Sequence, residues 1–258
     1  MPFKLGRRPR AFDNRIPSFT WLTREKALPP PPDAVDWTKT LPVDLHMFQN
    51  DSIGDCVEAA YYHALQVWSE NAKPPIWTVP DLDVVKLYEL SSGYNPNDPN
   101  TDQGSVLQTV LAYLVKNGAP VGQQAQHRHK LAAYVEIDVS RLDDIRRVIA
   151  ECGVCYIGFN VPAYLMNSGP PQVWDLNPAG DNTIIGGHCV ALAGYQAEGL
   201  HLISWGQTYR MTWPFFAHFC DEAYAMIDPD WVEKRGTTPG GLSLAELEAA
   251  MQAIKEGG

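Results

Sequence analysis

Hydrophobic spacing divides the chain into an early helical half and a later strand-forming half. From Cys56 to about Ser69 the segment CVEAAYYHALQVWS places Val57, Ala60, Ala64 and Val67 on one helical face, with Tyr61 and Trp68 beside it. Asp51, Ser52 and Asp55 offer capping oxygens at its start. The same period predicts helices over 81–92, 104–117 and 140–152, the second of them stopped by Gly118. The turn-rich loop NPNDPNTDQG joins the first two of these. Beyond Cys152 the character changes: CYIGFNV, HCVALAGYQ and LHLISWG alternate or run apolar as strands do, with turns PPQ and AEG between them. MTWPFFAHFCDEAYAMI reads as an aromatic helix or strand packing beneath them. Helices first and an antiparallel sheet second predict an α+β architecture of two lobes.

Composition adds boundaries to that picture. The 258 residues, 45% apolar and 19% charged, suffice for one two-lobed domain with a substantial core. A proline run, Pro29 to Pro32, sets off residues 1–31 as an arm and linker from a body over 32–235. VDWTKTLPV opens the body as extended chain, and residues 236–258, with SLAELEAAMQAIKEGG, form a C-terminal helix and tail. The net charge of −10 argues against nucleic acid as a partner. It is unevenly placed: residues 1–26 hold seven basic side chains against two acidic ones, leaving +5 there and −15 on the rest. A basic arm on an acidic body is either a strap on its own domain, burying Ile16, Phe19, Trp21 and Leu22, or a contact arm for an unknown partner. Apolar runs of about 18 residues are lacking, so no membrane span is expected. No secretory leader is evident, and five cysteines, an odd number, suit free thiols in a reducing compartment. The expected location is cytoplasmic, or virion-associated for a phage-encoded chain.

The chemistry concentrates in three places. Cys56 follows Gly-Asp at the start of the first predicted helix, His188 opens an apolar strand in GGHCVALAGY, and Ser-Trp-Gly closes the next strand. Unpaired N–H groups and the macrodipole at a helix start stabilise an anion and lower a thiol pKa. An imidazole within about 3–4 Å would complete an attacking ion pair. Gly54 lets the chain turn and lets a substrate approach. Asn50 offers an amide that, with the Cys56 N–H, would hold an oxyanion.

With these residues in view, the run VDWTKTLPVDLHMFQNDSIGDCVEAAYYHA, the strand His188-Cys189-Val190-Ala191-Leu192-Ala193-Gly194-Tyr195 and the turn Ile203-Ser204-Trp205-Gly206 resemble the papain-like cysteine peptidases, of a bacterial or phage type. The resemblance spans roughly residues 32–228 and implies a helical N-terminal lobe, a C-terminal antiparallel, barrel-like lobe and a cleft between them. It implies Cys56 as nucleophile, His188 as base and Asn50 as oxyanion donor, with Gln49 as the alternative amide. Gly54, Gly187 and Trp205 would line the substrate, an extended peptide. The chain departs from the family pattern at the position that orients the histidine, which is Ile203, leaving Ser204 as the substitute. Val57 stands where the family has Trp, and Ile53 where it has a disulfide cysteine.

Other candidates take bland readings. Cys152 and Cys155 have CxxC spacing but no second ligand pair and no helix start, so they read as structural. His63 is two turns along the helix from Cys56, about 10 Å away, and reads as core. His127 and His129 read as a solvated loop, and NPNDPNTD lacks an EF-hand pattern. No metal or cofactor is expected. Peptide hydrolysis by a Cys-His dyad is the leading reading. Its rivals are a papain-like scaffold that binds without catalysis, favoured by Ile203, and a thiol transferase or amidase.

Overall fold

The segment with the clearest helical period forms α1, Cys56–Ala72, about 25 Å long. The computed structural model describes residues 3–11, 16–19, 30–72, 80–122, 127–167, 169–236, 243, 245 and 246. Every α1 residue from Cys56 to Ser69 is buried, not one face alone. A helix buried all round must satisfy its polar side chains internally. Glu58 accepts from Ser91 and Ser105, His63 meets the His46 carbonyl, and Gln66 donates to the Leu45 carbonyl.

Around α1 pack α2 (Asp81–Ser92) and α3 (Leu107–Lys116), with α4 (Leu142–Cys152) on the sheet side. Helix α3 starts later than its apolar period suggests because Ser105 is held in extended pairing with Arg7. Helix α4 starts after Ser140, whose N–H donates to Asp138 in an Asx turn (2.9 Å).

The second half forms one sheet. Strands β1 (Val35–Asp36), β4 (Ala133–Ile137), β5 (Cys155–Pro162), β6 (Val173–Trp174), β7 (Ile184–Gln196), β8 (Gly199–Ser204), β9 (Gln207–Thr212) and β10 (Cys220–Ile227) run in the order β4-β10-β5-β7-β8-β9-β6, with β1 on β7. All pairings are antiparallel except β6 with β9. The aromatic segment is both helix and strand: Thr212 caps a short helix, Trp213–Phe219, that runs directly into β10. The segment expected as a solvated histidine loop is instead strand β3 (His127–His129), paired with β2 (Ala119–Val121). His129 is tied down there, Nδ1 to the Tyr61 hydroxyl (2.7 Å) and Nε2 to Asp228 (2.9 Å). The expected C-terminal helix lies almost entirely outside the described residues.

Strand alternation divides the core. Cys189, Ala191 and Ala193 on β7 face the cluster around α1, while Val190 and Leu192 face the cluster within the sheet lobe. The small residues in HCVALA let α1 settle closely on β7, which brings the start of α1 beside the strand that carries His188. The result is the helical lobe and antiparallel lobe of an α+β fold.

Candidate active site

The loop leading into α1 is tightly wound. His46, Phe48 and Gln49 all have positive φ (65°, 55° and 63°), a left-handed backbone that costs about 1 kcal/mol or more per residue away from glycine. Buried Phe48 and the Asn50 N–H to Met47 carbonyl bond (3.1 Å) hold it. Asn50, also buried, donates its side-chain amide to Asp55 (3.1 Å), so the predicted oxyanion donor is fixed at the helix start. Gln49, the alternative amide, makes no side-chain hydrogen bond among the described residues. Burial and the neighbouring Glu58 push the Asp55 carboxyl well above its usual range.

Cys56 begins α1 and is 1% exposed. Burial pushes its thiol up to about 12, although the backbone N–H groups of Cys189 and Gly6 lie near enough to the sulfur to oppose the rise. The Cys189 contact places the sulfur against the residue after His188. The imidazole of His188 is fully buried; burial, with a smaller contribution from His63, lowers it to about 3. Its Nε2 lies 2.7 Å from Ser204 Oγ, and its Nδ1 is buried with no hydrogen-bond partner among the described residues.

The orientation of that ring follows from the turn that closes β8. Ser204 and Gln207 pair across a two-residue loop in which Trp205 (φ 45°) and Gly206 (φ 72°) are both left-handed, the geometry of a type I′ turn. The turn presents Trp205 flat against His188, with ring centroids 4.3 Å apart and planes at 13°. Alternation along β8 sends Ile203 into the α1 cluster and Ser204 toward the imidazole. The departure at Ile203 therefore leaves the ring with an oxygen partner all the same. A hollow of about 580 Å³ opens beside Trp205, lined by residues including Val43, Met47, Gln172 and Thr208.

Gly54 and Gly187, the other two predicted lining residues, face each other across the N-terminal arm. Residues 3–8 run through the cleft. Gly6 lies so close to Gly54 that a Cβ on it would sit 1.9 Å from the Gly54 carbonyl oxygen. The Gly6 carbonyl accepts from Ser105 N–H (2.8 Å), Arg8 N–H donates to the Ser105 carbonyl (2.8 Å), and Arg7 N–H donates to the Gly187 carbonyl (3.0 Å). The arm thus bridges both lobes. Lys4 pairs with Asp102 (2.5 Å), which also accepts from Gly54 N–H and the Tyr88 hydroxyl. Phe3 packs on Trp205 at 4.8 Å, and Arg10 pairs with Glu136. Sequence reasoning missed Asp102 and Ser105, which sit in and after a loop rich in turn formers and carry no motif.

The remaining candidates stay outside the cleft. Cys152, Cys155, Cys189 and Cys220 are buried and in no disulfide. His63 is buried, bonded to the His46 carbonyl (3.1 Å), and lowered by burial to about 4. His129, Asp228 and Asp230 each offer a ligand atom within 4.8 Å of the others, but both His129 nitrogens are already engaged with Tyr61 and Asp228. Among the described residues, no helix is long and apolar enough to cross a membrane.

No family model matches the sequence, and no curated protein matches it. Solved structures do. Xylellain, a cysteine protease from Xylella fastidiosa, superposes with a TM-score of 0.67 at 19% identity, over 88% of this chain and 97% of that one. A digestive procathepsin L 3 from Tenebrio molitor larval midgut gives a TM-score of 0.54 at 14% identity, over 85% and 76%. A Carica candamarcensis cysteine protease in complex with E-64 gives 0.53 at 12%, over 76% and 99%. The fold is that of the papain-like cysteine proteases.

Proposed function

We propose that this chain, built on the papain-like fold, is a cysteine peptidase held latent by its own N-terminal arm. What supports the reading is where Cys56 and His188 each sit: a thiol at the start of a buried helix that packs on β7, and on β7 an imidazole clamped by Ser204 and Trp205 with its second nitrogen unengaged. In the reaction, His188 takes the thiol proton and the Cys56 sulfur attacks the carbonyl carbon of an extended peptide. The tetrahedral oxyanion is held by the Cys56 N–H and the Asn50 amide, with Gln49 as the second candidate. His188 returns the proton to the leaving amine, and water then releases the acyl group from the sulfur.

The latent state follows from what the sulfur faces. It meets the Gly6 N–H, while the Gly6 carbonyl is engaged by Ser105. An amide presented by its N–H offers no electrophile, so the arm fills the cleft without being attacked. Covered and dry, the pair is neutral: burial raises the thiol to about 12 and lowers the imidazole to about 3, the reverse of a thiolate–imidazolium. Admitting water to the cleft removes that desolvation and lets the ion pair form.

Gly6→Ala provides the test, because the added Cβ cannot coexist with the Gly54 carbonyl oxygen 1.9 Å away. Thiol alkylation against pH is compared in wild type, Gly6→Ala, and Gly6→Ala carrying Cys56→Ala or His188→Ala. The intact chain is expected to alkylate slowly at pH 7, and Gly6→Ala at least tenfold faster in a manner that needs His188. Gly6→Ala is also expected to cleave unstructured peptides. If its Cys56 reacts no faster than an ordinary thiol and no peptide is cut, the domain is a binding scaffold.

A further inference from the structure

Among the described residues of the arm, the most buried charge follows Gly6, the residue near the thiol. Arg7 is 6% exposed, and its guanidinium enters a pocket in the sheet lobe. There Nε donates to Glu222 (2.6 Å), one terminal nitrogen to Asp221 (2.5 Å) and the other, at 3.5 Å, to Asn160. The Glu222 side chain is itself fully buried and accepts a further hydrogen bond from the Tyr224 hydroxyl (3.0 Å).

Two features of the strands make this pocket. Gly158 sits in the interior of β5, where glycine is otherwise a cost. A Cβ there would lie 2.4 Å from Arg7 Nε and 2.7 Å from Glu222 Oε1, so the missing side chain is the pocket's volume. Across the ladder, the β10 register shifts between Cys220 and Glu222. Consecutive strand residues normally point to opposite faces. The irregularity at Asp221 lets two adjacent carboxylates converge on one guanidinium.

We propose that this pocket is an arginine-recognition subsite of the cleft, taking the guanidinium of a peptide substrate when the arm is displaced. The proposal rests on the peptidase reading for the word substrate, but the recognition stands on the pocket alone. Arg7 follows Gly6, the residue against the sulfur, so the pocket receives the side chain adjacent to the one at the thiol. Emptying it leaves a buried carboxylate unpaired, an expensive state. A peptide without a cation at that position leaves the same charge uncompensated and competes poorly with the arm. An arginine fits the two-carboxylate fork as lysine, a single point charge, does not.

The test uses the full chain carrying Gly6→Ala and Arg7→Ala, the first to displace the arm and the second to keep its guanidinium out of the pocket. Two capped tetrapeptides are titrated by calorimetry: Leu-Gly-Arg-Arg, the sequence of residues 5–8, and its analogue with citrulline in place of the first arginine. The arginine peptide is expected to bind at least tenfold more tightly, and Glu222→Gln added to that double variant to erase the difference. Asp221→Asn, on the more exposed side of the pocket, is expected to reduce it and serves if the Glu222 variant does not fold. Equal affinity for the two peptides, or binding of neither, overturns the proposal. Cleavage is scored separately on a peptide library with the same protein. Binding selectivity with no cleavage sinks the peptidase reading and leaves the subsite; cleavage indifferent to arginine does the opposite.

Discussion

Trp205 holds a backbone conformation that a bulky residue seldom adopts, and the returns are the stack on His188 and the placement of Ser204 one position before it. If Ser204 is what fixes the ring, Ser204→Ala in the Gly6→Ala background should lower kcat about tenfold with KM little changed, since the loss falls on orientation of the base. Steady-state kinetics on a peptide cut by Gly6→Ala decides it; an unchanged kcat would leave Trp205 as the sole orienter. His63 makes a second prediction at this scale. Its ring is neutral in the fold, lowered to about 4, while the unfolded chain takes up the proton near 6.5. The unfolded state therefore binds more protons between those values, and stability falls as pH drops from 6.5 toward 4. Denaturant midpoints should show His63→Gln losing about 2 kcal/mol less than wild type across that interval. The Cys, His and Ser-Trp-Gly residues were legible because each sits at a local boundary, a helix start, a strand start and a turn. That Ile203 faces the helical core and Ser204 the imidazole depends on the register of β8 in the sheet, which no local pattern encodes.

Among the elements, α1 is the one on which both lobes depend. Trp68 near its end is 1% exposed and donates its indole N–H to the Cys152 carbonyl (2.7 Å), and at its start the Tyr156 hydroxyl bonds the Val57 carbonyl. Trp68→Ala removes a large packed side chain and leaves that carbonyl unmet, so a loss of about 3–5 kcal/mol is expected in urea unfolding. The four early helices and three central strands could be read from apolar period with bounds off by a few residues. Their errors have causes: α3 begins late because Ser105 belongs to the arm's pairing, and all-round burial of α1 reflects neighbours the sequence window does not contain. The same limit hid the arm's seat. Lys4 with Asp102 and Arg7 with Glu222 are contacts between residues far apart in sequence, formed by segments with no periodicity at all.

Across the whole molecule, the arm acts as a third component of the fold. Beyond the cleft it pairs along the sheet edge, where Glu136 N–H donates to the Pro17 carbonyl (2.9 Å) and Phe19 is buried in the sheet-lobe core. Removing the guanidinium strands Glu222, so Arg7→Ala should cost about 3–5 kcal/mol in denaturant unfolding while leaving a single transition. A second transition in the variant would mean that the lobes are joined chiefly through the arm.

The arm's linkage to the body has a consequence for competition. A segment on the same polypeptide as its receptor is present at an effective concentration in the millimolar range, however dilute the protein. A peptide added from outside has to outcompete that fixed local supply, so even a weakly held arm keeps the cleft occupied at ordinary peptide concentrations. Occupancy of this kind is insensitive to dilution and yields to one cut in the connecting chain, after which the same segment, now free, is diluted away.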